Sequence, residues 1–531
     1  MADLQGDDFD AVIVGAGFSG LYMLHRLRGL GLRAHVVEAG NGVGGTWYWN
    51  RYPGARCDIQ SLEYSYSFDG DLQQEWEWTE RFAAQPEILA YAEHAAERFG
   101  LLDDITFNRR VERAGFDQGK RRWTVEAGDL VLSGRFLILA TGCLSSANRP
   151  DFPGMDTFAG RIFHTGEWPH ERIDFSGRRV GVIGTGSSAI QSIPVIAREA
   201  ASLHVFQRTP NYAVPAHNRP LTAEEQADMK AHYDEIRARA RLRRNYIDFP
   251  QEIRSALEVD EEERERVYEE RWQMGGLAFN GCFADQLQDP EANGFAGEFV
   301  RHKIEQIVDD PKIAARLVPS SPVGCKRLCV DTGYYETYNQ PHVELVDVSE
   351  KPVERFTEDG IVAAGRHFGL DDVVLATGFD AMTGSLERID IAGPGGRSLR
   401  EKWGEGPVSY LGLMVEGFPN MFTITGPGSP SVLSNMLMSI EQHVEWISDC
   451  IEMLGRDGRT LIAAEADAEA DWVRHVREVA GATLYPRCNS WYLGANIEGK
   501  PRVFMPYVGC ADYRRICDEI AADNYRGFAV S

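Results

Sequence analysis

The sequence predicts an α/β protein made of two interleaved dinucleotide-binding, Rossmann-like units with a helical insertion. Three observations predict it: a strand–glycine turn–helix–strand pattern that occurs twice, two strands that end in Ala-Thr-Gly, and an acidic stretch of helical periodicity between them. The 531 residues allow about three domains at roughly 150 residues each. The chain is 43% hydrophobic and 25% charged, an ordinary globular composition that excludes a disordered chain or a small disulfide scaffold. The 55 Lys+Arg against 80 Asp+Glu give a net charge of −25. Nucleic acid and anionic membrane surfaces are therefore not expected partners, because both need a basic footprint.

The first pattern begins at Ala11-Val12-Ile13-Val14, a short buried-strand run, and passes into Gly15-Ala16-Gly17-Phe18-Ser19-Gly20. A helix follows over Leu21 to Leu30, Gly31 stops it, and Ala34 to Glu38 forms a second strand. Gly15, Gly17 and Gly20 let backbone amides approach a pyrophosphate at a helix N-terminus. Glu38 can accept a ribose hydroxyl but would repel a 2′-phosphate, so this site suits FAD or NAD rather than NADP. Ser19, Thr46, Trp47, Arg56, Cys57, Asp58, Tyr64 and Val111 are the further candidate contacts to that cofactor. Several lie in Gly44-Gly45-Thr46-Trp47-Tyr48-Trp49 and Tyr52-Pro53-Gly54-Ala55-Arg56-Cys57-Asp58, where glycines and a charged pair suggest backbone wrapping a flavin ring. On the residues alone, a plain ion pair of Arg56 with Asp58 is the first reading.

The second pattern begins 169 residues later. Arg179 to Ile183 is a strand, Gly184-Thr185-Gly186-Ser187-Ser188-Ala189 is the turn, a helix runs to about Ala201, and Leu203 to Phe206 is the next strand. Ala189 in place of a third glycine is within the fingerprint. The ending is opposite in charge. Gln207-Arg208-Thr209 replaces the acid with a cation and a hydroxyl that can hold a 2′-phosphate, although a solvated arginine is the bland alternative. One flavin and one NADPH are therefore expected on one chain. The strands Phe136–Gly142 and Val373–Gly378 resemble the Ala-Thr-Gly segments of two-dinucleotide flavoproteins and are expected to mark crossings between the two units. Residues 221–320 hold 22 acids and 14 bases, including the run Glu261-Glu262-Glu263-Arg264-Glu265-Arg266, and read as helices with solvated faces. The expected division is 1–143 (first part of the FAD unit), 144–215 (first part of the NADPH unit), 216–322 (helical insertion), 323–377 (second part of the NADPH unit) and 378–531 (second part of the FAD unit).

Between the two turns lies Phe158-Ala159-Gly160-Arg161-Ile162-Phe163-His164-Thr165-Gly166-Glu167-Trp168-Pro169. Its Phe158, Gly160, His164, Trp168 and Pro169 match the fingerprint Phe-x-Gly-x-x-x-His-x-x-x-Trp-Pro. With both glycine motifs around it, the chain resembles the type I flavin-dependent Baeyer–Villiger monooxygenases over nearly its whole length. The likeness is strongest to the branch that oxidises phenylacetone and steroids, through segments such as Asn50 to Asp58, Thr377 to Ala381 and Ser490 to Asn496.

The resemblance implies insertion of one oxygen of O2 beside the carbonyl of an apolar ketone (aryl, cyclic or steroid-like), giving an ester or lactone. It implies FAD and NADPH as cofactors and a flavin C4a-peroxide as oxidant. By the same resemblance Arg327, in Gly324-Cys325-Lys326-Arg327, stabilises the peroxide and the negative adduct, and Asp58 holds it. Lys326 joins Arg208 and Thr209 at the 2′-phosphate. Trp491 belongs to a loop that closes over the nucleotide, or is a half-buried surface aromatic. Ser431, Val432 and Leu433 belong to the substrate loop, and His164 to the linker between units, where a part in domain movement is expected. Cys143 stands where the phenylacetone branch has glutamine, so the substrate range is not carried over.

Nine cysteines, no Cys-x-x-Cys and an odd count suggest thiols in a reducing compartment, with no disulfide framework and no metal site. The acidic N-terminus lacks an apolar core, so a cytoplasmic protein is expected, as a monomer or weak homodimer, without a membrane partner. The rival reading within flavin chemistry is a monooxygenase acting mainly on sulfur or nitrogen, against which Trp168-Pro169 argues. A flavin disulfide reductase would need a redox cysteine pair at short spacing, and Cys325-x-x-x-Cys329 does not supply it.

Overall fold

A computed structural model describes residues 8–531. Strand β1 (Asp8–Val14) enters helix α1 (Phe18–Gly29), and β2 (Ala34–Val37) returns parallel to β1. Residues 11–14 are buried, as expected for a central parallel strand covered on both faces. β3 (Leu130–Leu139) flanks β1 on its other side, also parallel. Eight strands complete this sheet, and two of them, Asp390–Ala392 and Met421–Thr423, come from the C-terminal third of the chain.

The second sheet has five parallel strands. These are β4 (Arg161–His164), β5 (Arg179–Ile183), β6 (Ser202–Gln207), β7 (Val343–Asp347) and β8 (Asp372–Leu375), in the order β7-β6-β5-β8-β4. Helix α2 (Ser187–Glu199) follows the turn after β5. The fold is thus α/β with two Rossmann-like sheets, as the sequence predicts.

The two glycine turns are solved in the same way. Gly15 has φ +105°, and a Cβ there would lie 2.6 Å from the Ala140 carbonyl oxygen. Gly184 has φ +114°, and a Cβ would lie 2.4 Å from the Ala376 carbonyl oxygen. Ala140 and Ala376 open the two Ala-Thr-Gly segments, so each crossing is pressed against a turn that only glycine can make.

The crossings also bind each other. Asn148 N–H donates to Gly378 O at 2.9 Å, and the Thr377 hydroxyl donates to Asn148 O at 2.6 Å. His164, buried at the end of β4, brings Nε2 to 3.2 Å from both Asn148 O and Thr377 Oγ1. Burial lowers its pKa, so the neutral ring is favoured.

At the other end of these strands the Asp372 side chain is wholly buried and grips two arginines. Its bonds to Arg161 are 2.6 and 2.8 Å, and those to Arg178 are 2.8 and 2.9 Å. Burial alone would raise its pKa, but the two guanidiniums outweigh it and hold it below the ordinary value. A depressed folded pKa means stability that is full above the unfolded value near 4 and lost as pH falls through the folded value. Asp372→Asn is expected to cost about 1–3 kcal/mol at neutral pH, since the arginines left unpaired are 42% and 37% exposed, read by thermal unfolding with the gap to wild type narrowing in acid. An equal melting temperature at pH 7 would contradict this.

The insertion is helical. Its main helices are Ala223–Ala231, Tyr233–Arg241, Glu261–Met274, Pro290–Ile307 and Pro311–Leu317. Asp260 caps the third, and Glu261 to Glu263 occupy its first turn, where the helix dipole favours anions. Glu263 pairs with Arg254 and Arg266, so the acidic run is partly neutralised at the surface.

One expectation is corrected. Cys325 and Cys488 form a disulfide, with Cα atoms 6.0 Å apart and a sequence separation of 163. The other seven cysteines are free and buried. Short-range spacing could not reveal a partner that arrives only when the C-terminal segment folds back over the second unit.

Candidate active site

A single cavity of 1620 Å³ joins the two turns. Its wall takes Gly15, Gly17, Ser19, Glu38, Thr46, Trp47, Arg56, Cys57, Asp58, Tyr64 and Val111 from the first unit. From the second it takes Gly184, Thr185, Gly186, Ser187, Ser188, Arg208, Thr209 and Lys326. Arg327, Val432 and Trp491 complete it.

Several expected residues stand off this wall. Gly20 lies behind its turn, where a Cβ would meet the Gly15 carbonyl oxygen at 1.8 Å, so its part is packing. Ala189 is buried in α2. In the expected substrate loop only Val432 faces the cavity. The Ser431 hydroxyl donates to Met382 Sδ at 3.5 Å, and Leu433 packs among apolar side chains that include Tyr492 and Phe504. In the one-turn 3₁₀ segment Ser431–Leu433, Val432 and Leu433 join the same apolar cluster but only Val432 reaches the cavity wall, which a linear reading does not resolve. Phe158 packs against Phe356, Trp168 against Phe163, and a Cβ on Gly160 would meet Asp371 O at 2.4 Å. The fingerprint is therefore structural in place, and only Gly166 and Glu167 of that segment reach the cavity.

The Arg56–Asp58 ion pair is not formed. Arg56 pairs with Glu80 at 2.7 Å and donates to Phe82 O, which leaves Asp58 for a distant partner. Arg327 presents both edges of its fork to Asp58, Nε to Oδ2 at 2.5 Å and Nη2 to Oδ1 at 2.7 Å. Its third arm, Nη1, donates to Val432 O at 2.6 Å. Burial alone would push this guanidinium down, but the Asp58 charge and hydrogen bonds outweigh it and hold the pKa above the usual arginine value. The two side chains remain 22% and 21% exposed, so a fixed cation meets the cavity between the two glycine turns.

Glu38 directly follows β2, with both carboxylate oxygens occupied, Oε2 by Ala16 N–H and Oε1 by Gly40 N–H, each at 2.7 Å. Each oxygen keeps a lone pair for a hydroxyl donor. At the matching place after β6, Arg208 and Thr209 follow Gln207, and Lys326 comes beside them. Burial, and then the neighbouring Arg208 charge, lower the Lys326 pKa. Two cations that disfavour each other, facing one cavity, are the chemistry of an anion site.

The loop that carries Trp491 is tied down at several points. Asn496 Nδ2 donates to Phe379 O at 2.7 Å, Asn148 Nδ2 to Asn496 O at 3.2 Å, and Lys500 pairs with Asp380. Sequence reasoning misses Asn148, Gln191 and Asn496. Gln191 accepts the Tyr52 hydroxyl at 2.8 Å and donates to Arg56 O at 3.0 Å, bridging the first unit's loop to α2. No residue-type signal marks such bridges. Asn496, within the Ser490–Asn496 string, is the one with a cue.

A family model described as pyridine nucleotide-disulphide oxidoreductase matches residues 12–269. Across 537 residues the chain is 41% identical to the phenazine N-monooxygenase PhzNO1 of Lysobacter antibioticus, covering 100% of this chain and 98% of the relative. It is 41% identical over 527 residues to a Baeyer–Villiger monooxygenase of Pseudooceanicola batsensis, covering 98% and 96%. The solved structure of oxidised steroid monooxygenase bound to NADP is 52% identical, with a TM-score of 0.95 over 98% of this chain and 99% of that one. With end-to-end identity at this level and the Asp58–Arg327 pair in place, the chain belongs to the type I flavin-dependent Baeyer–Villiger monooxygenase family.

Proposed function

We propose that the protein is an FAD-dependent, NADPH- and O2-consuming Baeyer–Villiger monooxygenase that converts apolar ketones to esters or lactones. The single observation that carries this is the Arg327 guanidinium, forked on Asp58 and exposed to one cavity between two nucleotide cradles. The residues present fit both nucleotides. Gly15 and Gly184 make cradles that a Cβ would fill. Glu38 suits the FAD ribose, and Arg208, Thr209 and Lys326 suit the NADPH 2′-phosphate.

Held by the Gly15 and Gly184 cradles, FAD and NADPH would supply the hydride transfer and dioxygen activation that the reaction needs. The chain's own groups then do three things. Arg327 places a permanent cation where the carbonyl oxygen becomes negative, and Asp58 fixes its orientation so that no reorganisation is needed. Val432 and Met436 line the cavity near it with apolar surface that suits a ketone without charge. Trp491 and its loop cover the nucleotide side and exclude water. Because both cradles and Arg327 come from one chain, a monomer or weak homodimer can carry the reaction. No helix of the described residues is long and apolar enough to cross a membrane.

The test is NADPH consumption against a panel of aryl, cyclic and steroid ketones, with the product identified by mass. Ester formation supports the reading, and NADPH oxidation without ester for every ketone overturns it. The similarity to a phenazine N-monooxygenase favours oxidation at nitrogen as a second reading. The panel therefore includes a phenazine and a thioether, and turnover of these alone would decide for it.

The lowered Lys326 pKa gives a pH signature. The cation binds phosphate, so affinity is full below the folded pKa and is lost as pH rises through it. Because kcat/KM reports free-enzyme groups, its value for NADPH is expected to fall on the alkaline side sooner than an ordinary lysine would allow. Lys326→Arg should flatten that limb, since arginine stays charged. An unchanged profile in the variant would remove Lys326 from the phosphate site.

A further inference from the structure

We propose that Cys325 and Cys488 form a reversible redox modification site that controls the loop covering the nucleotide. The two cysteines bracket the site's moving and fixed parts. Cys325 directly precedes Lys326 and Arg327, and Cys488 directly precedes Asn489, Ser490 and Trp491, all of which line the cavity. Their bond therefore staples the start of the Trp491 loop to the segment that carries the phosphate-binding lysine and the forked arginine.

The pair is built to close. Its Cα atoms stand 6.0 Å apart, within the span a disulfide bridges without moving backbone. Both residues are buried, so bulk thiols meet the bond only when the loop opens. The staple is one of several ties. The rest of the loop is held by hydrogen bonds and an ion pair, through Asn496, Asn148 and Lys500. Those contacts break and re-form on the timescale of loop motion, whereas a covalent bond does not. With both thiols reduced, the loop's start is free to leave Lys326. With the bond formed, it is not.

The oxidant is hydrogen peroxide or another two-electron peroxide. One thiolate sulfur attacks the peroxide oxygen, breaking the O–O bond and giving a sulfenic acid and water. The second sulfur displaces the hydroxyl, which leaves as water with the remaining thiol proton. Two thiols and one peroxide become one disulfide and two waters, and a thiol reductant reverses the step by exchange. The other seven cysteines are buried, and burial raises the pKa of each and keeps it a thiol, so the response is concentrated in this one bond among the described residues.

The placement of Trp491 over the nucleotide rests on the function proposed above, but the thiol chemistry does not. The test uses the full-length flavin-loaded protein in two forms, treated with hydrogen peroxide and then quenched, or treated with a thiol reductant and then desalted. Free thiols are alkylated after denaturation, and the digest is searched for a peptide joining Cys325 to Cys488. Expected are seven alkylated cysteines and the joined peptide in the oxidised form, and nine alkylated cysteines in the reduced form. NADP+ dissociation, followed by displacement, is expected to be slower in the oxidised form, with kcat falling alongside it and recovering on reduction. Cys488→Ser and, separately, Cys325→Ser should behave like reduced wild type before and after peroxide.

Absence of the joined peptide after peroxide overturns the site. A joined peptide with equal NADP+ dissociation in both forms overturns its control of the loop. A joined peptide and slowed dissociation in a protein that oxidises no ketone would uphold the site and overturn the proposed activity instead.

Discussion

Arg327→Ala is expected to retain FAD and to lower the rate of ester formation by about a thousandfold or more. Removal of one preorganised donor to a developing oxyanion costs on the order of 10²–10³ in other enzymes, and here the donor also carries the charge. The side chain makes three hydrogen bonds, two to Asp58 and one to Val432 O, so nothing else in the cavity holds its geometry. The substitution also leaves Asp58 without its counter-ion, a loss of up to about 3–5 kcal/mol for a fully buried pair and less for one that is partly exposed. The proposed FAD cradle at the Gly15 turn and Glu38 does not include Arg327, so visible flavin absorbance should persist while ester, followed by mass, disappears. Arg327→Lys should recover little, because an ammonium keeps the charge but not the fork that Asp58 grips. Normal ketone turnover in Arg327→Ala would remove the residue from the chemistry.

Arg208→Ala is expected to abolish most of the preference for NADPH over NADH. A charge-assisted contact to phosphate is worth about 2 kcal/mol, or roughly thirtyfold in kcat/KM for NADPH, with NADH little affected. Lys326 remains in the variant, so the preference should shrink rather than invert. The double variant with Lys326→Ala should lose less than the sum of the two if both cations meet one phosphate, as proposed. A preference for NADPH that matches wild type would mean that Arg208 is a solvated surface arginine, the bland alternative its sequence position leaves open.

Much of the site is legible in the linear chain. The Gly15 and Gly184 turns, the Glu38 and Arg208 endings and the fingerprint around His164 are each contained in a short window. Backbone dihedral demand and hydrophobic period act over that same range. Resemblance adds Arg327, Lys326 and Trp491, and the cavity wall includes all three. The misreadings are also physical. An Arg56–Asp58 pair follows from nearness in sequence, but Arg56 turns to Glu80 and Asp58 to Arg327. Ser431 and Leu433 share a loop with Val432 but not its place on the cavity wall.

By itself the sequence determined the class of fold, the two nucleotide cradles and their opposite electrostatic endings, because these are local conformational and charge requirements. Only the tertiary structure decided which of those residues meet. Asp58 and Arg327 are 269 residues apart, Cys325 and Cys488 are 163 apart, and Asp372 reaches back to Arg161 and Arg178. Each contact forms because the chain leaves the first sheet, builds the second, inserts its acidic helices and then returns. A contact made by that return has no signature in any local stretch of sequence, since the energy that selects it comes from burying two sheets and a C-terminal segment against one another.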